Sequence, residues 1–364
     1  MINRRLPSAA PEHLVMLAAM ECFTSCVLTY VQLLGEGRLL PMPDYWNLNY
    51  QFRTLLSSKD AKHFSLQFHY GIRMSFTRGD SERLRETIAG GQAAILLCSA
   101  SRLAYFPRHM LGLETAGFQH SILISGWDEQ AGSYRIADPM VGHVGEATPD
   151  EMELAGMRSG RQELNYFTLE PPEQDFCPPS AAEVFRYSSE RNLKLFDLGA
   201  ADPAAAAPSK AAGPVPQDDK RQAWAEWFGG RNGGSRAFEQ CRSELAALPD
   251  WEPAAIKRWC DRNNLTVTSI WKVRQHVWDC FCRLGVMTEA ETREAGDAVR
   301  RIVRRWQSFN YQLSRVKKLG AASPEDAAAL GGMLAELCEE ERYFLNWMND
   351  LGQTVEARKE KIES

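Results

Sequence analysis

The sequence predicts an α+β fold, with a mixed helix-and-sheet domain followed by an all-α domain. Three observations support this prediction. A helical pattern comes first and strand-like segments follow it, which favours a largely antiparallel sheet over alternating β and α units. Eight of the ten tryptophans lie after residue 220, where the apolar pattern is helical. A segment rich in Ala and Pro separates these two parts of the 364-residue chain.

The separating segment spans residues 198–220 and reads LGAADPAAAAPSKAAGPVPQDDK. It has no aromatic residue and no periodic apolar face, and this composition is typical of a flexible or extended linker. We therefore expect the mixed domain over residues 1–197 and the helical domain over residues 221–364.

The mixed domain begins with a helical pattern. Apolar and small residues recur at three- and four-residue spacing from Cys22 to Leu33, and Gly35 favours a helix end just beyond them. A second, shorter helix is expected over residues 81–89, because two glycines follow it.

Four later segments read as strands. Residues 93–98 (AAILLC) form a continuous apolar run, which is typical of a strand buried on both faces. Residues 120–127 and 133–138 flank a turn over 128–132, which is a strand–turn–strand signature. Residues 163–169 read as one more strand. Together with the helices, these strands predict an antiparallel sheet.

The helical domain is predicted from three amphipathic segments, residues 292–319, 324–337 and 338–361. The residues 288–291 (TEAE) and 323–326 (SPED) combine a hydroxyl residue with acids in the first turn. Both patterns are typical of helix starts.

Composition excludes several classes of protein. The chain is 44% hydrophobic and 24% charged, which excludes a disordered protein. Its net charge of -5 argues against a general nucleic-acid binder, and no apolar run approaches the roughly 20 residues needed to cross a bilayer.

Nine cysteines without paired C-x-x-C spacing predict free thiols in a reducing cytoplasm. We therefore expect no metal, no cofactor, no nucleic-acid partner and no membrane partner.

The strongest candidate site combines Cys22, His120 and Asp138. Nucleophilic catalysis by cysteine needs a thiolate, an imidazole that takes its proton, and an acceptor that orients the imidazole. Cys22 lies just before the strongly helical stretch, and a helix N-terminus lowers the pKa of a thiol. The sequence therefore predicts a catalytic triad.

The predicted hairpin brings two of these residues to one face. With a turn centred near residue 130, facing residue numbers sum to about 260, so Asp138 lies diagonally from His120 on the same side of the sheet. A register slip of one residue would place the two side chains on opposite faces.

Other residues could fill the same roles. Cys26 lies one helical turn after Cys22 and is an alternative nucleophile, and Asp128 is an alternative orienting acid. His109 and His143 are alternative bases, although both are expected in exposed loops. Each candidate also has a purely structural interpretation, since cysteines and histidines are more often core or surface residues than catalytic ones.

Three further residues are candidate substrate contacts. Gln119 precedes His120 and could line the pocket. Tyr45 and Trp46 belong to an aromatic stretch over residues 43–49 that could wall a substrate groove, although packing is the more frequent role of such a stretch.

The first helical segment resembles the nucleophile helix of bacteriocin-leader peptidases. Those domains carry an acidic residue, the catalytic Cys, a second Cys four residues later and a Gly about thirteen residues after the first Cys. In this sequence the matching residues are Glu21, Cys22, Cys26 and Gly35.

The predicted hairpin resembles the same group. Residues 120–126 are similar to its His strand, and residues 134–139 are similar to the strand that ends in its Asp-Pro pair. The resemblance covers roughly residues 13–170. It implies a papain-like domain in which the nucleophile helix packs on an antiparallel sheet.

With its helical extension, the chain is more similar to the butirosin-biosynthesis-H-like family. That resemblance implies transfer of an acyl group from a carrier-protein thioester to an amine in antibiotic assembly. It implies an acyl carrier protein or carrier domain with a phosphopantetheine thioester as donor, and a small molecule or peptide as acceptor. Cys22 would form the acyl-enzyme.

The sequence departs from papain-like peptidases at one position. Those enzymes place a Gln several residues before the Cys to bind the oxyanion, whereas residues 1–21 contain no Gln. Loss of one oxyanion donor costs about 10²–10³ in rate, which disfavours amide hydrolysis more than attack on an activated thioester. A papain-like peptidase is therefore the second hypothesis. A scaffold or binding protein with a degenerate papain-like domain is the third.

A basic run lies in the helical domain. From residue 299 to 318 the chain has no acidic residue, and on a helix the arginines would face outward. A solvated helix face is one interpretation. A docking surface for an acidic partner such as a carrier protein is the other, and its candidate residues are Arg300, Arg301, Arg304 and Arg305.

Overall fold

The computed structural model of the chain describes residues 9–18, 20–35, 43–57, 62–110, 119–156, 163–198 and 233–363. Its contacts divide the chain into two compact units. The first unit comprises residues 1–41 and 63–178, and the second comprises residues 42–62 and 179–364.

Eight strands lie in the described residues. They are β1 (Leu48–Gln51), β2 (Thr54–Ser57), β3 (Arg73–Gly79), β4 (Ala93–Cys98), β5 (His120–Asp128), β6 (Ser133–Asp138), β7 (His143–Ala147) and β8 (Leu164–Glu170).

Nine α-helices lie in the same residues. They are α1 (Cys22–Leu33), α2 (Lys62–Tyr70), α3 (Ser81–Ala89), α4 (Pro149–Gly156), α5 (Ala181–Leu198), α6 (Ser235–Ala247), α7 (Pro253–Leu284), α8 (Glu289–Leu319) and α9 (Pro324–Glu363).

The first unit is built on a six-stranded antiparallel sheet in the order β3-β8-β4-β5-β6-β7. This confirms the predicted α+β class and the antiparallel sheet. Strands β4, β5, β6 and β8 match the predicted segments closely. Strands β3 and β7 were not predicted, because both alternate weakly and expose much of their length to solvent.

Helix α1 packs against β5 and also contacts β4 and β6. Every residue of the helix except Gln32 is buried. At its start, the Phe23 ring contacts Phe167 of β8 edge-on at 4.9 Å. Near its end, the Tyr30 hydroxyl donates to the carbonyl of Leu169 at 3.5 Å. The helix is therefore fixed at both ends against the sheet.

The second unit contains helices α5–α9 and the hairpin formed by β1 and β2. Its helical character confirms the prediction for the C-terminal region. The two predicted helices at 324–337 and 338–361 are one continuous helix, α9, because no glycine or proline interrupts the chain where the two were divided.

The contacts place the unit boundary elsewhere than the predicted one. Residues 43–57 and helix α5 belong to the second unit, whereas the prediction included both in a domain over residues 1–197. The predicted linker at 198–220 lies outside the described residues, apart from Leu198, which ends α5.

The core of the second unit contains a buried charge cluster around Glu341. This carboxylate accepts two N–H groups of Arg274, at 2.9 and 2.8 Å, and the indole N–H of Trp306 at 2.8 Å. It also accepts the indole N–H of Trp46 at 3.0 Å. Arg274 and Glu341 are both 0% exposed. These bonds join Trp46, which lies just before strand β1, to helices α7, α8 and α9.

None of the described helices is long and apolar enough to cross a membrane.

Candidate active site

Cys22 is the first residue of α1, as the sequence predicts. Its side chain is 8% exposed. Glu21 occupies the N-cap position, and its carboxylate accepts the Thr24 hydroxyl at 2.7 Å inside the protein. The Cys22 thiol therefore lies in the first turn of the helix, where the backbone N–H groups create partial positive charge.

His120 and Asp138 form a direct hydrogen bond. The distance from His120 Nε2 to Asp138 Oδ2 is 2.7 Å, and the two side chains are 5% and 0% exposed. The His120 side chain also makes a hydrogen bond with Cys22. Because Nε2 is bonded to Asp138, Nδ1 is the ring nitrogen left for the thiol. The structure thus brings the three predicted residues together.

The protonation of His120 depends on both partners. Burial by itself lowers the pKa of His120, because it disfavours the imidazolium. The hydrogen bonds to Asp138 and Cys22 and the negative charges of both partners outweigh burial and raise the pKa to about 9. His120 is therefore protonated at neutral pH and stabilises negative charge on the Cys22 sulfur.

The shared face of His120 and Asp138 depends on a β-bulge. At the tip of the hairpin, Asp128 pairs with Ser133, so the residue numbers of paired positions sum to 261 there. Beyond the irregularity between Ile124 and Gly126, the numbers sum to 260, as Leu123 pairs with Ala137. Without this one-residue shift, His120 would point to the opposite face from Asp138. The predicted sum of about 260 is correct at the site.

The Asp138 carboxylate accepts hydrogen bonds from two further donors. Its Oδ1 accepts the backbone N–H of Met140 at 3.2 Å, and its Oδ2 accepts the Tyr105 hydroxyl at 3.4 Å. The Tyr105 ring stacks on the ring of His143, with centroids 3.8 Å apart. These contacts fix the carboxylate that holds His120.

Sequence reasoning missed the aromatic pair Tyr105 and Phe106. Phe106 contacts the ring of His120 edge-on, with centroids 4.9 Å apart. The available signal was two adjacent aromatic residues in an irregular segment directly after a buried strand, because such residues need something to pack against.

The alternative nucleophile and acid have other roles. Cys26 is completely buried, and its thiol donates to the carbonyl of Ser121 at 3.5 Å. The Asp128 carboxylate accepts the backbone N–H groups of Gln130 and Ala131, at 2.9 and 3.0 Å, and so stabilises the hairpin turn. Neither residue replaces Cys22 or Asp138.

The alternative bases occupy other places in the fold. His109 is exposed in a short 3₁₀ turn, as expected for a loop residue. His143 begins strand β7 and is partly buried against Tyr105, so the expectation of an exposed loop is wrong for this residue. Burial lowers the pKa of His143.

Of the candidate substrate contacts, Gln119 lies at the site. It is exposed, and its backbone carbonyl accepts a hydrogen bond from the Cys22 thiol at 3.8 Å.

The prediction that Tyr45 and Trp46 wall a substrate groove is wrong. They are 1% and 0% exposed within the core of the second unit, so they pack the interior and do not wall a groove.

The four candidate docking arginines are exposed on α8, opposite its buried stripe of Val299, Ile302, Val303 and Trp306. Arg300 forms an ion pair with Asp297 at 2.6 Å. Arg305 forms ion pairs with Glu336 and Glu340. Arg301 and Arg304 have no acidic partner among the described residues.

The described residues contain no group of three or more His, Cys, Asp or Glu side chains arranged to hold a metal ion.

No family model matches this chain, and no curated protein matches it. The geometry of the Cys22 site is therefore the basis for a functional assignment.

Proposed function

We propose that the protein is a papain-like cysteine acyltransferase that moves an acyl group from a carrier-protein thioester to an amine or similar acceptor in natural-product biosynthesis. The observation that carries the proposal is the His120 ring, which makes hydrogen bonds with both Asp138 and Cys22. A thiol at a helix start, an imidazole and an orienting carboxylate are the groups that nucleophilic catalysis by cysteine requires.

In the first step, the Cys22 thiolate attacks the carbonyl carbon of the donor thioester. A bond forms between that carbon and the Cys22 sulfur, and the bond to the phosphopantetheine sulfur breaks. His120, which took the Cys22 proton, gives that proton to the leaving thiolate, which becomes the thiol. The products are an acyl-Cys22 thioester and the free carrier thiol.

In the second step, the acceptor amine attacks acyl-Cys22. Neutral His120 takes the proton that the amine loses, the bond between carbon and the Cys22 sulfur breaks, and the thiolate returns. Asp138 orients the ring in both steps and stabilises the imidazolium. The sequence contains no upstream Gln for the oxyanion, and an activated thioester tolerates that loss better than an amide does.

Charge supports a carrier protein as the donor. Arg300, Arg301, Arg304 and Arg305 are exposed on α8, and carrier proteins are generally acidic. Only Arg301 and Arg304 lack an acidic partner within the described residues, so they would contribute most to docking.

Cysteine chemistry supports a reducing compartment, and we propose the cytoplasm. All nine cysteines are free thiols. A catalytic thiolate also needs protection from oxidation.

The proposal is tested by intact-protein mass spectrometry after incubation with carrier proteins loaded as acyl thioesters. We expect an acyl adduct on the wild type that disappears in Cys22→Ala and transfers to an added amine. The matched control is Cys177→Ala, which removes an exposed thiol from the first unit and should leave the adduct intact.

Two other outcomes would contradict acyl transfer. Cleavage of peptide amides without any thioester donor would indicate a peptidase. Absence of any adduct, together with a Cys22 thiol as unreactive as an ordinary buried thiol, would indicate a scaffold protein with a degenerate site.

A further inference from the structure

One oxygen of Asp138 serves two donors. Asp138 Oδ2 accepts His120 Nε2 at 2.7 Å and the Tyr105 hydroxyl at 3.4 Å. We propose that Tyr105 is a positioning residue of this site, which shares the oxygen that holds His120 and so limits how strongly the carboxylate retains the His120 proton. For its catalytic consequence the inference rests on the function proposed above.

The position of the Tyr105 hydroxyl is set by its ring. The ring stacks on His143 with centroids 3.8 Å apart and an interplanar angle of 8°. His143 pairs directly with Asp138 across strands β6 and β7, so the stack lies beside the carboxylate. The next residue, Phe106, contacts the His120 ring edge-on. Two consecutive aromatic residues therefore contact the two members of the His–Asp pair.

The hydroxyl can only act as a donor here. Burial first, and then the Asp138 charge, raise the pKa of Tyr105, so the phenol keeps its proton. A carboxylate that accepts an additional hydrogen bond is a weaker base, because the bond stabilises its negative charge. Tyr105 therefore reduces the stabilisation that Asp138 gives to the imidazolium.

Few other titratable groups face the pair from the described elements around it. Cys98 of β4 pairs directly with His120. The other groups are Cys22 and Cys26 of α1 and His143 at the start of β7. Burial lowers the pKa of His143, so at pH 7 and above its charge does not compete with that of Asp138.

Tyr105 affects the second step of transfer, in which the acceptor amine attacks acyl-Cys22. Only neutral His120 can take a proton from the acceptor amine, and the best base has a pKa close to the working pH. By weakening Asp138 as an acceptor, Tyr105 keeps a larger fraction of His120 neutral. The residue therefore favours deacylation without touching the substrate.

The test is an NMR titration of His120 in the full-length protein, wild type against Tyr105→Phe, with the resonance assigned by His120→Gln. Removing the hydroxyl should raise the His120 pKa by about half a unit. Deacylation of acyl-Cys22 by an amine near pH 7 should slow by about threefold, because the neutral fraction of His120 falls by that factor.

The matched control is Tyr134→Phe. This tyrosine is buried in the same unit, and its hydroxyl donates to the carbonyl of Ser81 at 3.3 Å, away from Asp138. A loss of packing or stability would affect both variants, whereas the His120 shift should occur only in Tyr105→Phe.

A second pair of variants tests the stack without removing the hydroxyl. His143→Ala should raise the His120 pKa, because it frees the Tyr105 ring, and His143→Phe should leave it unchanged, because it keeps an aromatic partner. An unchanged or lowered pKa in Tyr105→Phe, or the same rise in Tyr134→Phe, would overturn the inference. The titration needs no acyl donor, so its result stands even if acyl transfer is not observed.

Discussion

At the scale of single residues, the site depends on a buried charge. Asp138 is 0% exposed, and a buried carboxylate is tolerated only when hydrogen bonds satisfy its oxygens. His120, Tyr105 and the Met140 backbone supply those bonds. In return, the carboxylate keeps His120 protonated despite burial that opposes the charge.

Asp138→Asn should remove the main contribution that raises the His120 pKa against the effect of burial. Without the carboxylate, burial dominates and the His120 pKa falls from about 9. The alkaline limb of the acyl-transfer rate, expected near pH 9 where wild-type His120 loses its proton, should move to lower pH. The maximal rate should fall by about 10²–10⁴.

The measurement is the rate of acyl-Cys22 formation between pH 5 and 10. Asp128→Asn, which changes a carboxylate in the hairpin turn, is the control and should keep the wild-type limb. An alkaline limb that stays in place in Asp138→Asn would contradict the role given to this carboxylate.

At the scale of elements, local patterns predicted the parts of the site well. The start of α1 at Cys22 and the two strands that carry His120 and Asp138 follow from periodicity and turn residues. The bulge between Ile124 and Gly126 was not predicted, although a glycine inside a strand is a sequence signal for a bulge. Tyr105 was missed because its partners are distant in sequence.

The helical unit depends on the buried cluster around Glu341. Glu341→Gln should lower the free energy of unfolding by about 3–5 kcal/mol, because Arg274 would remain buried without a counter-charge. Chemical denaturation followed by tryptophan fluorescence measures this loss.

Glu289→Gln is the control for that experiment. Glu289 pairs with Arg293 on the surface of α8, where both side chains are largely exposed, and such pairs contribute about 0–1 kcal/mol. Equal losses in the two variants would contradict the importance of burial.

The basic face of α8 permits a separate test. Arg301→Glu combined with Arg304→Glu should raise the KM for an acidic carrier donor by about tenfold and leave kcat unchanged, because only encounter and docking are affected. A small thioester without a carrier should react at the wild-type rate.

Lys257→Glu combined with Arg258→Glu makes the same charge change at exposed positions of α7 and is the control. If both double variants weaken carrier use equally, the effect belongs to net charge and the face of α8 is not the docking surface.

At the scale of the whole molecule, the two compact units do not follow the order of the sequence, because the second unit combines residues 42–62 with residues 179–364. The composition of residues 198–220 predicted a boundary there, but the hairpin of β1 and β2 and helix α5 belong with the later helices. Trp46 illustrates the reason, because its indole bonds Glu341, 295 positions further along the chain. Local patterns carry no record of such pairing.

Separate expression of residues 1–197 and 221–364 tests this division. We expect neither fragment to unfold cooperatively alone, because Trp46 and Tyr45 lose the helices that bury them. Mixing the fragments should restore cooperative unfolding, measured by circular dichroism and size-exclusion chromatography. Two independently stable fragments that do not associate would contradict the contacts of the second unit.

If His120 holds the Cys22 sulfur as a thiolate, iodoacetamide should alkylate Cys22 rapidly at neutral pH, and alkylation rates measured for each cysteine decide this. Rates at each cysteine are followed by peptide mass spectrometry from pH 5 to 10, with exposed Cys177 as the internal reference. We expect Cys22 to react faster than Cys177 at pH 6–7, and we expect His120→Gln to abolish this advantage. A Cys22 rate that rises only above about pH 8.5, like that of an ordinary thiol, would contradict this prediction.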